Sequence, residues 1–317
     1  MTDPTDRWSV SLEGETLLGR YTVERKIGGG GMASVYLARD EQLEIPVVVK
    51  VPHTAYLAEA GFRERFERET RDLISLQHPH IVSILARGDH EGLPFLVLQF
   101  LKGGSLGDRI RKAKGAPLPY ADVRPWVRDI ARALDFIHTQ GVVHRDIKPD
   151  NVLFDEHGHA FLSDFGIAKA VGGADTGLTV TGATPGSPAY MAPEQPRQSS
   201  LTGASDQYSL AATIYEALSG RPTHEGETVV DVLLKKQTEV PPALAGLAPD
   251  VPQAVSDGVM RALQRDPEAR WPSCEELVEA FRRPATEPAL HPPAPVVPPD
   301  ATCLLYTSDA ADDRPRV

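Results

Sequence analysis

The chain is 317 residues long and carries 33 Lys+Arg against 44 Asp+Glu, a formal net charge of −11. At 41% hydrophobic and 24% charged it has a globular composition, which excludes collagen-like, coiled-coil and fully disordered chains. The acidic balance argues against a nucleic-acid partner. The two cysteines, Cys274 and Cys303, make neither a disulfide framework nor a zinc site, and no run of about 18 apolar residues offers a membrane span.

Residues 1–19 are polar and read as a flexible N-terminal arm. Val23–Lys26 alternates like a strand, meets the run Gly28-Gly29-Gly30-Gly31, and resumes at Val35–Leu37, a hairpin signal. Val47–Val51 is a β-branched strand ending beside Lys50. From Glu59 to Gln77 the period turns helical, with Phe62, Phe66, Leu73 and Leu76 near one face, and His78-Pro79 stops it. Ile81–Ala86 and Phe95–Phe100 fit two further strands, and Lys102-Gly103-Gly104-Ser105 breaks the pattern.

Helices dominate afterwards. Val123, Val127, Ile130, Leu134 and Ile137 mark a long amphipathic helix closed by Gly141. Ser205 is a candidate cap for a helix carrying Leu210, Ile214 and Leu218, with Gly220 past its end. Ser273 and Glu276 form a capping-box pattern for a last helix. Strands first and helices later give an α+β chain of two lobes joined near residues 101–104. Prolines crowd residues 284–302, which read as an extended linker.

The strongest chemical feature is His144-Arg145-Asp146-Ile147-Lys148-Pro149-Asp150-Asn151, followed by Asp164-Phe165-Gly166. With the glycine run and Lys50 ahead of them, these motifs resemble the protein kinase family, closely the bacterial eukaryotic-like (Hanks-type) serine/threonine kinases. The resemblance covers about residues 20–283 and implies the two-lobed kinase fold, an N-lobe over 20–101 and a C-lobe over 102–283. It implies transfer of the ATP γ-phosphate to Ser/Thr hydroxyls of proteins, with Mg²⁺ (or Mn²⁺) as the metal.

The roles that follow are those the family implies. Asp146 orients the acceptor hydroxyl, Lys148 faces the γ-phosphate, and Asn151 and Asp164 offer hard oxygen ligands to the metal. Ile27, Gly28, Gly29, Gly30, Gly31 and Val35 cover the nucleotide, with Ala33 at the third glycine position of the family. Val48 stands where the family carries alanine above the adenine, and Lys50 binds phosphate with Glu69 as the partner that fits best, Glu64 and Glu67 being the competing choices. Leu98 backs the pocket, and Gln99-Phe100-Leu101 present backbone groups to the base.

Lys148 after Asp146 is the Ser/Thr rather than the tyrosine pattern. Ser187 to Glu194, ending Ala192-Pro193-Glu194, resembles the segment that faces the protein substrate. Arg270 matches the arginine anchoring Glu194, and Asp206 the aspartate bracing the catalytic loop. Thr179 and Thr181 are candidate autophosphorylation sites for pairing with Arg145, Lys169 assisting, and Leu73 is expected against Phe165. A homodimer for trans-autophosphorylation accompanies that expectation. The rivals are a pseudokinase scaffold and a small-molecule phosphotransferase. Lys50, Asp146, Asn151 and Asp164 disfavour the first, and the segment to Glu194 with Arg270 the second.

Histidines 78, 80, 90, 157 and 159 show no regular metal-ligand spacing. The string Cys303–Asp312 resembles the translation of a transposon adapter used in sequencing libraries, so residues 303–317 are expected to be foreign to the protein. The kinase domain is expected in the cytoplasm, and the resemblance implies a longer natural protein with a single membrane anchor beyond the linker.

Overall fold

The computed structural model describes residues 11–29, 33–57, 61–74, 76–164, 187–196 and 201–282. The expected linker over 284–302 and the string 303–317 lie outside them. The N-terminal part is one antiparallel sheet of six strands. They are β1 (Thr16–Leu17), β2 (Tyr21–Gly29), β3 (Ala33–Asp40), β4 (Ile45–Pro52), β5 (Ile84–His90) and β6 (Leu93–Gln99), ordered β1-β2-β3-β4-β6-β5. Between β4 and β5 lie α1 (Thr54–Leu57) and α2 (Phe62–Ile74).

Strand alternation divides the sheet into two faces. Tyr36, Ala38, Val47, Val49, Phe95 and Val97 form a buried core on one side. The register sets Val35 against Lys50 and Lys50 against Leu96, and sets Leu37 against Val48 and Val48 against Leu98. Val35, Val48, Lys50 and Leu98 therefore share the opposite face, on which α2 packs through Phe62 and Phe66 against Leu96.

The arm expected over 1–19 is corrected from Leu12 onward. Leu12 and Leu17 are buried in the sheet core, and β1 pairs with β2. The two leucines cover apolar surface the sheet would otherwise expose. The expected strand over 81–86 also shifts. Ile81 makes only an isolated bridge to Leu162, and β5 begins at Ile84.

The chain crosses to the C-terminal part through residues 101–105, laid along a second, two-stranded sheet of β7 (Val152–Phe154) and β8 (Ala160–Leu162). Gly103 N–H donates to the Phe154 carbonyl at 2.8 Å, and Phe154 N–H to the Gly104 carbonyl at 2.9 Å. A Cβ on Gly103 would stand 2.4 Å from the Asp155 carbonyl oxygen, so only glycine permits this crossing.

The rest is helical: α3 (Leu106–Ala113), α4 (Tyr120–Thr139), α5 (Ser187–Tyr190), α6 (Gly203–Ser219), α7 (Val229–Thr238), α8 (Leu244–Leu247), α9 (Gln253–Ala262) and α10 (Cys274–Arg282). Helices α4 and α6 are the centre of its core; Val123, Val127, Ile130 and Leu134 of α4 and Leu210, Ile214 and Leu218 of α6 are fully or almost fully buried. Ser205 does not cap α6, which starts at Gly203 behind Thr202; its hydroxyl is taken by Glu194. Ser273 does accept the Glu276 N–H, at 3.1 Å. No helix among the described residues is long and apolar enough to cross a membrane.

Candidate active site

The two parts of the fold face each other across a cleft, and charged side chains gather there. Lys50 on β4 reaches Asp164, just beyond β8, with Nζ 2.6 Å from Oδ1. The Asp164 side chain is 43% exposed, so its carboxylate opens to the cleft. Protein packed around this partly exposed carboxylate strips water from it and works against its charge, but the ammonium of Lys50, aided by Lys148, holds the carboxyl below its ordinary value. Asp164 has φ +57°, a left-handed conformation rare outside glycine and often held at working sites.

The loop from His144 to Asn151 supplies the other groups. Lys148 Nζ lies 2.8 Å from Asp146 Oδ2. Asn151, buried at 3% exposure, donates its amide N–H to the Asp146 carbonyl (2.7 Å) and carboxylate (3.2 Å). With its amide nitrogen committed, the Asn151 side-chain oxygen is the atom left for a cation. A carboxylate and an amide oxygen form a hard donor set that suits a divalent metal such as Mg²⁺.

Asp206, in the first turn of α6, fixes this loop. It is 1% exposed and accepts three hydrogen bonds: the His144 N–H (2.7 Å), the Arg145 N–H (2.8 Å) and His138 Nε2 (2.8 Å). His144 ties the loop to the strand leading to Asp164. Its Nδ1 accepts from the Asp146 N–H at 3.3 Å, which assigns the proton to Nε2, 2.9 Å from the Ser163 carbonyl. Burial holds His144 below its usual value against the opposing pull of Asp206, in keeping with a neutral ring. Arg145 takes φ +68°, and its Nε is buried without a hydrogen-bond partner among the described residues.

The segment 187–196 is bound beside this loop. Glu194 and Arg270 form a buried two-pronged pair, both contacts 2.8 Å, and Ser205 donates to Glu194 Oε1 at 2.7 Å. The remaining Arg270 donors meet the carbonyls of Gln264, Ala204 and Arg265, so all five N–H groups are used.

Among the residues expected to cover a nucleotide, a Cβ on Gly28 would meet nothing within 4 Å, so the space beside this backbone is open. Ile27 is exposed, and Val35, Val48, Leu98, Gln99 and Leu101 are half-buried. The Gln99 N–H is already donated to the Ser83 carbonyl at 3.0 Å, which removes one group from those expected to meet a base. Gly30, Gly31, Phe165, Gly166, Lys169, Thr179 and Thr181 lie outside the described residues, as do the side chains of Glu69 and Ser187. Leu73 is buried on α2.

Of three further contributors, Gln195 and Lys236 carried no motif and Tyr190 lies within the segment ending at Glu194. Gln195 accepts the Ala192 N–H and donates to the Arg145 carbonyl at 3.1 Å, stitching segment 187–196 to the catalytic loop. Tyr190 donates to the Glu216 carboxylate. Lys236 on α7 donates to the carbonyls of Ala189 and Met191. The one group of three potential metal ligands among the described residues is Asp135, His138 and Cys274, which includes none of histidines 78, 80, 90, 157 and 159. There Asp135 caps α10 through the Cys274 and Glu275 N–H groups. A separate cavity of about 480 Å³ between α3 and α4 contains none of the cleft residues.

The family model described as "Protein kinase domain" matches residues 21–281. The serine/threonine-protein kinase PrkC of Bacillus subtilis is 36% identical over 266 residues, covering 84% of this chain and 40% of that protein. The serine/threonine-protein kinase PknB of Mycobacterium leprae is 34% identical over 300 residues, covering 91% and 47%. The chain thus spans less than half the length of these relatives. Among solved structures, the Mycobacterium tuberculosis PknI kinase domain is similar at a TM-score of 0.67 and 29% identity, covering 86% of this chain and 99% of that one.

Proposed function

Because the chain belongs to the protein kinase domain family, we propose that it transfers the γ-phosphate of ATP to serine and threonine hydroxyls of proteins. The observation that carries this reading is the cleft itself. Lys50 and Asp164 meet across the two parts of the fold, while Asp146, Lys148 and Asn151 are locked together on one loop beside them.

Phosphoryl transfer asks little covalent chemistry of a protein; it asks for position and compensating charge. Lys50 and Lys148 supply positive charge to the phosphates. Asp146, steadied by Lys148 and Asn151, is the carboxylate that orients the acceptor hydroxyl and takes its proton. Asn151 and Asp164 would hold Mg²⁺, which when bound neutralises phosphate charge. Val35, Val48 and Leu98 share the sheet face that would cover the adenine.

Autophosphorylation at Thr179 and Thr181 belongs to the same reading. The buried Nε–H of Arg145, without a partner among the described residues, supports it, since it is a donor that a phosphate oxygen could accept. Protein substrates, a homodimer acting in trans, and a membrane anchor in a longer natural chain complete the proposal.

Radiolabel transfer from ATP to casein and to the chain itself tests it, with Asp146→Asn and Lys50→Met as controls. Label in the wild type and its loss in both variants is the expected result. Equal signal in all three would remove the kinase reading, and nucleotide binding without transfer would leave a pseudokinase.

A further inference from the structure

Helix α7 is built inside out. Its Val230 and Leu234 are 63% and 57% exposed, while Lys236 is 1% exposed. Burying an amine is costly unless its donors are met. Here Nζ donates to the Ala189 carbonyl at 2.6 Å and the Met191 carbonyl at 2.8 Å, with the Tyr208 ring 5.1 Å away. The next residue, Gln237, donates to the Pro193 carbonyl, and its own carbonyl is held by Arg265. Alternate carbonyls of one short stretch leading out of α5, 189, 191 and 193, are thus gripped by two neighbouring side chains.

No carboxylate pairs with Lys236 among the described residues, and burial alone pushes its ammonium down to about 7. A neutral amine has two N–H donors, and two carbonyls receive them. The cost is unexplained by packing, since the helix leaves two aliphatic side chains in solvent instead. It is explained if the gripped stretch must keep a fixed shape. That stretch reaches the catalytic loop directly, because Gln195 bonds both the Ala192 N–H and the Arg145 carbonyl.

We infer that Lys236 and Gln237 are positioning residues for the acceptor: they hold residues 189–193 in the shape against which a protein substrate is laid, within reach of Asp146. The inference rests on the kinase reading above and deepens it. The side chains touch neither nucleotide nor acceptor hydroxyl; they act through the backbone they hold. Their loss should weaken the use of protein acceptor and leave nucleotide binding intact.

The test is steady-state transfer from ATP to casein by the wild type, Lys236→Met, Lys236→Gln and Gln237→Ala, each checked for folding by circular dichroism. Lys236→Met, which keeps the apolar stem, should raise the casein KM about tenfold, the loss expected for one to two orphaned carbonyls. Gln237→Ala should raise it about threefold, and Lys236→Gln, which restores an N–H₂ group, should recover part of the Met loss. The ATP KM should stay within about twofold throughout, because uniform damage would move both.

An active wild type whose casein KM is unchanged in the folded variants overturns the positioning role alone. So does a parallel rise of the ATP and casein KM. If Lys236→Met fails to fold, Gln237→Ala decides: an unchanged casein KM there defeats the inference. A wild type that transfers no phosphate at all removes the kinase reading itself.

Discussion

Removing Arg270 should be among the most damaging single changes outside the cleft. Its five N–H groups serve Glu194 twice and three carbonyls, in a site where the arginine side chain is 0% and the glutamate 7% exposed. Arg270→Met leaves Glu194 buried and held only by the Ser205 hydroxyl and its own backbone N–H. One-sided loss of a buried pair costs about 3–5 kcal/mol. At roughly 2–4 °C per kcal/mol for a domain near this size, the melting temperature should fall by about 6–20 °C. The pair with Glu194→Leu makes the argument sharper. The double variant leaves no orphaned charge, so it should cost less than the sum of the single changes by at least about 1 kcal/mol. Urea unfolding of the four proteins reads this directly. The reasoning is refuted if Arg270→Met costs under about 1 kcal/mol, or if the single losses add to within about 0.5 kcal/mol. Acid gives a second readout. Burial pushes the Glu194 carboxyl up, but Arg270 overcomes it and holds the group below its ordinary value of 4.5. The stability it contributes is therefore complete above pH 4.5 and lost as pH falls through the lower folded value, a loss Arg270→Met should not share.

Asp206→Ala strips the acceptor from the His144 and Arg145 N–H groups, at about 1–3 kcal/mol for each buried donor, and should lower kcat at least tenfold while binding of a fluorescent ATP analogue changes little. Asp164→Asn removes the exposed carboxylate of the Lys50 pair, so Mg²⁺ titration of casein phosphorylation should show transfer abolished at all concentrations, and a restored rate at high Mg²⁺ would point to weakened rather than essential binding. Burial lowers Lys236 from its ordinary 10.5 to about 7, so between these the unfolded chain binds one more proton and stability rises with pH. From pH 7 to 8.5 the wild type should gain on Lys236→Met by up to about 1.4 kcal/mol per pH unit in urea unfolding, and parallel curves would contradict a buried, neutralised amine.

What was readable from sequence follows a physical division. Asp146, Asn151, Asp164 and Lys50 are proposed to act through their own functional groups, so chemistry restricts their types and they stand out as motifs. The helix over 120–139 was legible because one face had to be apolar to be buried. Gln195 and Lys236 act by bonding to backbone carbonyls and N–H groups, which every residue carries, so no partner type marks them. Lys236 also inverts the usual rule: Val230 and Leu234 predict the buried side of α7, and the fold turns them outward. The arm over 1–19 misled for a related reason, since Leu12 and Leu17 lie in a polar stretch without periodicity, yet both fill the sheet core.

Three consecutive residues at the start of α6 show how acceptor and catalytic groups come to share one frame. Ser205 donates to Glu194 at the end of the substrate-facing segment. Asp206 holds the backbone of the catalytic loop. Gln207 donates to the carbonyls of Trp271 and Ser273 and accepts the Trp271 N–H, fixing the stretch that also carries Arg270. All three side chains are nearly fully buried, on a helix most of whose residues are buried too. A helix enclosed on all sides cannot shift without disturbing the core, and cores are close-packed. The proposed transfer needs the acceptor oxygen and Asp146 aligned within a fraction of an ångström, an alignment easily lost if each were anchored to a different mobile element. Fastening both to one buried helix turn removes that freedom before a substrate arrives. Across the cleft, the sheet side is joined to this frame through Lys50 and Asp164, an ion pair that is partly open to solvent. Nucleotide-dependent movement is therefore expected between the sheet and the catalytic loop, rather than between the catalytic loop and the acceptor segment.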